Sequence, residues 1–462
     1  MHQKTHKSNL SMTALFVPEI KSLIAGKNFS AVKLILSKIP SIDIAEGWKN
    51  FNEQERILIF KLLSIRLAIE LFEALKFKEQ AFLLNNLENA EVSQVLNEMA
   101  ADERANLFRD LSPKVMKRLF GLMKKEEVDD VRELMTYEEG TAGATMTTDF
   151  LELKKDITAR AAILKLQDGL SFDHDLDIGS NFVTDENHKL IGVVELQDLI
   201  KAPPDMLVKD IMQGTDFIKV NEFAPEEGVA QVFKHYDLKI APVVEDTNKL
   251  VGIITVDDIV DIIEKEATED FEKIAAVLPV DKPYMEAKFF NLVWKRSFWL
   301  VLLIIFESIS AFVLKSNRQA INNMLALTFF VPIQIAMGGN AGTQSATIII
   351  RSLALGDIKA KNFLRVVLRE SLLGVCMGVP IALVGAVIVS FFENNWMLSL
   401  AVGVSMGITI VIATTVGASL PLLSRKFKLD PALMSGPMIA TIVDIVGIIV
   451  YFNIAQLFLP LT

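Results

Sequence analysis

Five apolar runs, each about as long as a helix must be to cross a bilayer's hydrocarbon core, fill the last third of this chain. They lie roughly at Phe298–Leu314, Met324–Leu353, Leu372–Phe392, Met397–Leu423 and Leu433–Leu459. Residues 288–462 hold 13 Lys/Arg against 6 Asp/Glu, and residues 1–287 hold 34 against 51. A net −17 front therefore precedes a net +7 apolar back. That split predicts a soluble module fused to a membrane module. It argues against nucleic acid, whose phosphates call for a basic face. The first 30 residues are polar and mixed, without the apolar core of a signal peptide, so the front is expected to stay on the side of synthesis.

Loop charges orient the spans. Lys295 and Arg296 precede the first; Arg351, Lys359, Lys361, Arg365 and Arg369 follow the second; Arg425, Lys426 and Lys428 follow the fourth. The alternate loops offer little beyond Lys315 and Arg318. The positive-inside rule puts the N-terminus in the cytosol and the C-terminus outside, as expected of a multi-pass protein of the cell (inner) membrane. The single cysteine, Cys376, lies in an apolar run and is expected to be a packed, inert thiol.

Within the second run, Pro332–Asp357 is unusual. Its middle reads Gly338-Gly339-Asn340-Ala341-Gly342-Thr343-Gln344. The glycines permit non-helical angles and close backbone approach, and Asn340, Thr343 and Gln344 supply neutral oxygens. Irregular backbone survives at membrane depth only where it lines a water-filled path or is buried in protein. The other reading is close helix packing through small residues. Pro332 and Pro421 are expected to kink the second and fourth spans or to accompany a tilt. One acid, Asp444, lies deep in the last span, where a carboxylate is costly and is a functional candidate by default. Ala440 and Thr441 lie one turn back, near a Gly436-Pro437 break expected to free a carbonyl. Asp444 as a cation ligand competes with Asp444 as a plain interhelical hydrogen-bond partner. Glu307 is a weaker candidate.

The front reads as helix over residues 1–75, with amphipathic runs at Ala31–Ile39 and Ile57–Leu75. From Leu87 a repeat appears: Leu87, Met99, Leu111, Met123 and Met135 recur every twelve residues. This predicts short stacked helices, each burying one face on its neighbours. Tyr137–Gly143 is a hinge-like break. Beyond it, β-rich runs are expected at Asn181–Thr184, Leu190–Val194, Ala241–Val244 and Leu250–Ile254. Residues 182–194 parallel 242–254, and the halves open alike with Ala144-Thr145-Met146 and Asp210-Ile211-Met212.

This duplication resembles a tandem pair of CBS domains. In such pairs a Thr three residues before an Asp contacts an adenine nucleotide; the second copy keeps that spacing as Thr255 and Asp258, and the first has Glu195 before Asp198. ATP binding is one reading, force transmission or dimerisation the other. The run Asp257–Phe271 then has a helical period, one face carrying Asp258, Asp261, Glu266, Glu269 and Asp270. Carboxylates so spaced repel unless a cation sits among them. Mg²⁺ suits them, with oxygen ligands and several retained waters; a solvated charged helix is the plainer reading.

Together the motifs GGNAGTQSATIIIRSLALGDI, DPALMSGPMIATIVDIVG and EATED resemble the MgtE family of magnesium channels and transporters over nearly the whole chain. The resemblance implies a multidomain α, α/β and membrane all-α architecture. Its parts are a helical solenoid N domain (1–140), a tandem CBS pair (141–262), an acidic connecting "plug" helix (263–291) and a five-helix transmembrane domain (292–462). It implies a homodimer in membrane lipid, with Mg²⁺ both transported and regulatory. Asp444, the Ala440 carbonyl and Asn340 would line the path. Asp430 would face the plug across a Mg²⁺ site. Glu266, Glu269 and Asp270 match plug-side acids, Glu227, Asp237 and Asp258 match CBS-side acids, and Asp102 an N-domain acid. The chain departs from the family pattern at Gly436, Ala341 and Thr343, so backbone replaces any side-chain ligand at Gly436. A transporter of Co²⁺ or Mn²⁺, and a membrane-anchored nucleotide sensor, are the competing readings. No nucleophile constellation or His cluster points to an enzyme.

Overall fold

Helices begin at Glu53, Ile65, Phe77, Asn89, Ala101, Pro113 and Lys125, one every twelve residues. The repeat thus starts earlier than Leu87. The run Ile57–Leu75 belongs to two helices, Glu53–Leu62 and Ile65–Ala74. They separate because Leu63 turns to an extended conformation, ψ 154°, as do Leu75, Leu87 and Met99 at the next three breaks. Leu75, Leu87 and Met99 drop into the same core as Val95, Leu96 and Phe108. A residue that ends one helix and also fills the core fixes the period. Asn52 opens the array with a capping box: its Oδ1 accepts from Glu55 N at 2.9 Å, and Glu55 Oε2 accepts from Asn52 N at 2.8 Å.

The computed structural model describes residues 12–172, 178–214, 217–280, 284–285, 287–427 and 429–459; Lys428, one of the orienting charges, lies outside them. The chain divides into two units, Met1–Ile263 and Glu264–Thr462.

In the front unit, two three-stranded sheets follow the repeat. β1 (Glu152–Lys154), β2 (Ser180–Thr184) and β3 (Leu190–Glu195) form one; β4 (Val220–Asn221), β5 (Ile240–Val244) and β6 (Leu250–Thr255) form the other. Each sheet has one parallel and one antiparallel pairing, and β2 and β5 carry their register irregularity at matching positions, Val183/Thr184 and Val243/Val244. The two openings are exchanged. Thr147, after Met146, pairs with Ile253 of the second sheet, and Gln213, after Met212, pairs with Val193 of the first. Glycine is required where they cross: a Cβ on Gly252 would stand 2.6 Å from Met146 Sδ, and one on Gly192 2.6 Å from Met212 Sδ.

A long helix, Val256–Ile274, continues from β6. The back unit then holds five long helices: Phe289–Ser316, Ala326–Ala354, Phe363–Phe392, Trp396–Lys426 and Gly436–Phe458. Four are long and apolar enough to cross a membrane. The second is not among them, because GGNAGTQS dilutes its apolar middle. The first and third begin nine residues before the apolar runs, and those added turns carry Lys295, Arg296, Arg365 and Arg369. The second and fourth run unbroken through Pro332 and Pro421. Cys376 is exposed on the third helix rather than packed, since the face that meets the fourth helix is the glycine face, Gly374, Gly378 and Gly385. Tyr451, fully buried, ties the fifth helix to the second by donating to Leu327 O at 2.9 Å.

Candidate cation sites

The second long helix does not break at its glycines. Residues 338–344 are helical throughout, and the glycines serve close approach. A Cβ on Gly338 would stand 2.9 Å from Thr409 Cγ2 and 3.0 Å from Val443 Cγ1, and one on Gly342 3.1 Å from Ile439 Cγ2. Gly417 meets the Gly342 carbonyl from the fourth helix. Small residues let the second, fourth and fifth helices pack backbone to backbone, as membrane helices do where no hydrophobic force drives them together.

Gly339 faces Asp444. A Cβ there would lie 3.2 Å from Ala440 Cβ and 3.5 Å from Asp444 Oδ1. That Oδ1 is buried and has no protein hydrogen-bond partner among the described residues. Buried polar atoms are nearly always paired, so an orphan calls for water, an ion or a proton. Asn340, beside Gly339, is exposed on the single chain, and Ala440 is partly so. The fifth helix starts at Gly436, with Ser435 as its N-cap. Ala440 therefore lies in its second turn, where the helical ladder takes one carbonyl lone pair and leaves the other; it is not freed by a break. Thr441 Oγ1 donates to Pro437 O at 3.0 Å, and Thr343 Oγ1 to Gly436 O at 3.2 Å.

Asp430 meets the connecting helix through a lysine. Its Oδ2 lies 2.6 Å from Lys273 Nζ, which is also 2.7 Å from Glu269 Oε1. Asp430 Oδ1 accepts from Ala432 N at 2.8 Å. Glu266, Glu269, Asp270 and Lys273 recur at three- and four-residue spacing on one helix face.

The front unit gathers a second set of acids. Ala101 and Ala105 share a core with Ile259 and Ile262, which brings Asp102 and Glu103 toward Asp258. Burial, reinforced by Glu103, pushes the Asp102 carboxyl up to about 6. Burial, reinforced by Asp102, pushes Asp258 up to about 7. Glu103 is raised by burial and by Asp258, Asp261 and Asp257. Thr255 Oγ1 donates to Asp258 Oδ2 at 2.8 Å, so the Thr–Asp pair also belongs to this cluster. The sequence reading placed Asp261 on the acidic face but missed Glu103 and Asp149; Asp149 Oδ2 accepts from Ala101 N at 2.8 Å. Glu227 and Asp237 are both exposed. Ten residues apart along one helix and its cap, they lie about 15 Å apart, so one ion cannot take both within one chain. Among the described residues, no group of three or more His, Cys, Asp and Glu side chains is placed to hold a metal ion.

Residues 331–454 match the MgtE family of divalent cation transporters, 39–140 the MgtE intracellular N domain, and 142–205 and 208–265 the CBS domain. The magnesium transporter MgtE of Thermus thermophilus is 34% identical over 434 residues, covering 93% of this chain and 95% of that one. That of Bacillus subtilis is 30% identical over 429 residues, covering 92% and 93%. The crystal structure of the cytosolic domain of the Mg²⁺ channel MgtE in complex with ATP superposes with a TM-score of 0.50 at 28% identity, covering 53% of this chain and 98% of that one. The chain therefore belongs to the MgtE family: a magnesium transporter and not an enzyme, a multi-pass membrane protein with an intracellular helical N domain, a CBS pair and a helical membrane domain.

Proposed function

We propose that the chain is a Mg²⁺-selective, Mg²⁺-gated channel for uptake across the cell membrane, acting as a homodimer with its C-terminus outside. The observation that carries the reading is the buried, unpartnered Oδ1 of Asp444 against Gly339. Two copies of Asp444, with the Ala440 carbonyl and Asn340, cradle a hydrated ion, because Mg²⁺ gives up its waters reluctantly. The first long helix is exposed along most of its length, and it offers that surface to lipid and to the second copy.

Gating follows from the acids. At high cytosolic Mg²⁺, ions bind the acids Asp102, Glu227, Asp237 and Asp258 of the N and CBS domains (1–140 and 141–262), and the acids Glu266, Glu269 and Asp270 of the connecting helix (263–291). The connecting helix, seated against Asp430 through Lys273, then holds the transmembrane domain (292–462) shut. When Mg²⁺ falls, the carboxylates repel and the soluble parts separate. The ion's higher affinity for the closed form supplies the free energy. ATP at Thr255 and Asp258 is supported by the ATP complex of a homologue's cytosolic domain.

Mg²⁺ flux into proteoliposomes, wild type beside Asp444→Ala, tests the pathway. Loss of uptake in the variant is expected, and normal uptake removes the assignment. Competition by Co²⁺ and Mn²⁺ in the same vesicles separates a Mg²⁺-selective path from a general divalent one.

A further inference from the structure

At the end of the connecting helix, Lys273 has a side chain four-fifths buried, 20% exposed. Its ammonium is 2.6 Å from Asp430 Oδ2 and 2.7 Å from Glu269 Oε1. Burial alone lowers a lysine's pKa, but hydrogen bonds to Asp430 and Glu269 outweigh it and raise Lys273 above its ordinary value. Asp430 in turn holds the short turn Pro431–Leu433 through Ala432 N, and that turn leads directly to Ser435, the N-cap of the helix that carries Asp444. The next residue, Ile274, packs into the cluster of Ala341, Ala432, Ile439 and Val443. Its carbonyl oxygen would stand 3.7 Å from a Cβ on Gly436. One charged contact and one apolar contact therefore seat the end of the connecting helix on the first turns of the Asp444 helix.

We propose that Lys273 is a tethered cation that latches the connecting helix onto the inner end of the Asp444 helix, so that this contact closes without a metal ion. It rests on the gated-channel reading only in calling the seated state closed. A covalently held ammonium keeps a constant, high effective concentration between Glu269 and Asp430, whatever the cytosolic Mg²⁺. A divalent ion entering between those carboxylates must displace it. The acids elsewhere on the connecting helix then respond to Mg²⁺, while Lys273 supplies a constant bias toward closure. Without the ammonium, Glu269 and Asp430 face each other unscreened, and the contact becomes metal-dependent.

The test replaces Lys273 in the full-length protein by Met, which keeps the apolar stem, and by Arg, which keeps the charge. In proteoliposomes with chelated internal Mg²⁺, Lys273→Met is expected to pass severalfold more Mg²⁺ than wild type and still to close at high internal Mg²⁺. Lys273→Arg should behave as wild type. A readout independent of flux is maleimide labelling of Ile274→Cys in a Cys376→Ser background: with EDTA, labelling should quicken severalfold in Lys273→Met and stay slow in Lys273→Arg. Unchanged labelling in Lys273→Met, or equal acceleration in Lys273→Arg, overturns the latch. Faster labelling in a protein that carries no flux upholds the latch and refutes the channel reading.

Discussion

Gly339 and Asp444 face each other across two helices so closely that a Cβ on the glycine would lie 3.5 Å from the carboxylate's Oδ1. The same Cβ would meet Ala440 Cβ at 3.2 Å, tighter than ordinary contact. The missing side chain thus leaves the orphaned oxygen its room.

Gly339→Ala should displace the two helices by tenths of an ångström and reduce Mg²⁺ flux severalfold. Gly339→Leu has no room and should abolish flux or prevent assembly. Flux into proteoliposomes, normalised to the monodisperse fraction in detergent, checks both. Full activity of the leucine variant would show that the carboxylate does not need this clearance.

Neutralising the connecting-helix acids, by Glu266→Gln, Glu269→Gln and Asp270→Asn together, should leave the path open at internal Mg²⁺ that shuts the wild type. The expected outcome is a lost or strongly right-shifted inhibition curve, with flux at low Mg²⁺ no lower than wild type. Inhibition that keeps its wild-type midpoint would remove these acids from the gate.

The Asp102–Asp258 cluster predicts a pH dependence. Both carboxyls sit above their ordinary values, at about 6 and about 7. The folded state therefore binds their protons more tightly than the unfolded chain does. Their contribution favours folding at low pH and is lost as pH rises from near 4 through 6 to 7. Without divalent ions, hydrogen exchange in the helix Ala101–Arg109 should be slower at pH 5 than at pH 7.5, after correction for intrinsic rates. Saturating Mg²⁺ should remove most of that difference, because a bound cation takes the place of the protons. No pH effect in EDTA would refute the account.

The exchanged openings of the CBS pair make Gly252 irreplaceable. A Cβ there meets Met146 Sδ, Met146 Cγ at 2.7 Å and Thr147 O at 2.8 Å. Gly252→Ala should cost about 1–3 kcal/mol through overpacking, read as a fall in the unfolding temperature. Met146→Ala should recover part of it in the double variant. A wild-type melting curve for Gly252→Ala would show that the opening segment can move aside.

Much of this protein was legible in its sequence because the signals are local and periodic. The twelve-residue recurrence predicted the repeat, the parallel between 182–194 and 242–254 predicted two alike sheets, and apolar length with loop charge predicted the spans. An aspartate with no neighbouring charge in an apolar run stood out without any structure. The sequence could not tell close packing from broken backbone at Gly338–Gln344. The same glycines serve both, and only the presence of Val443, Thr409 and Ala440 opposite them makes the helix continuous. Likewise Lys273 and Asp430 are 157 residues apart, and no period links them. Sequence by itself determined which segments are helices, strands and spans, since backbone preference and burial pattern act over a few residues. Tertiary structure alone decided which carboxylate is left unpaired and which meets an ammonium, because charges act through distances in space.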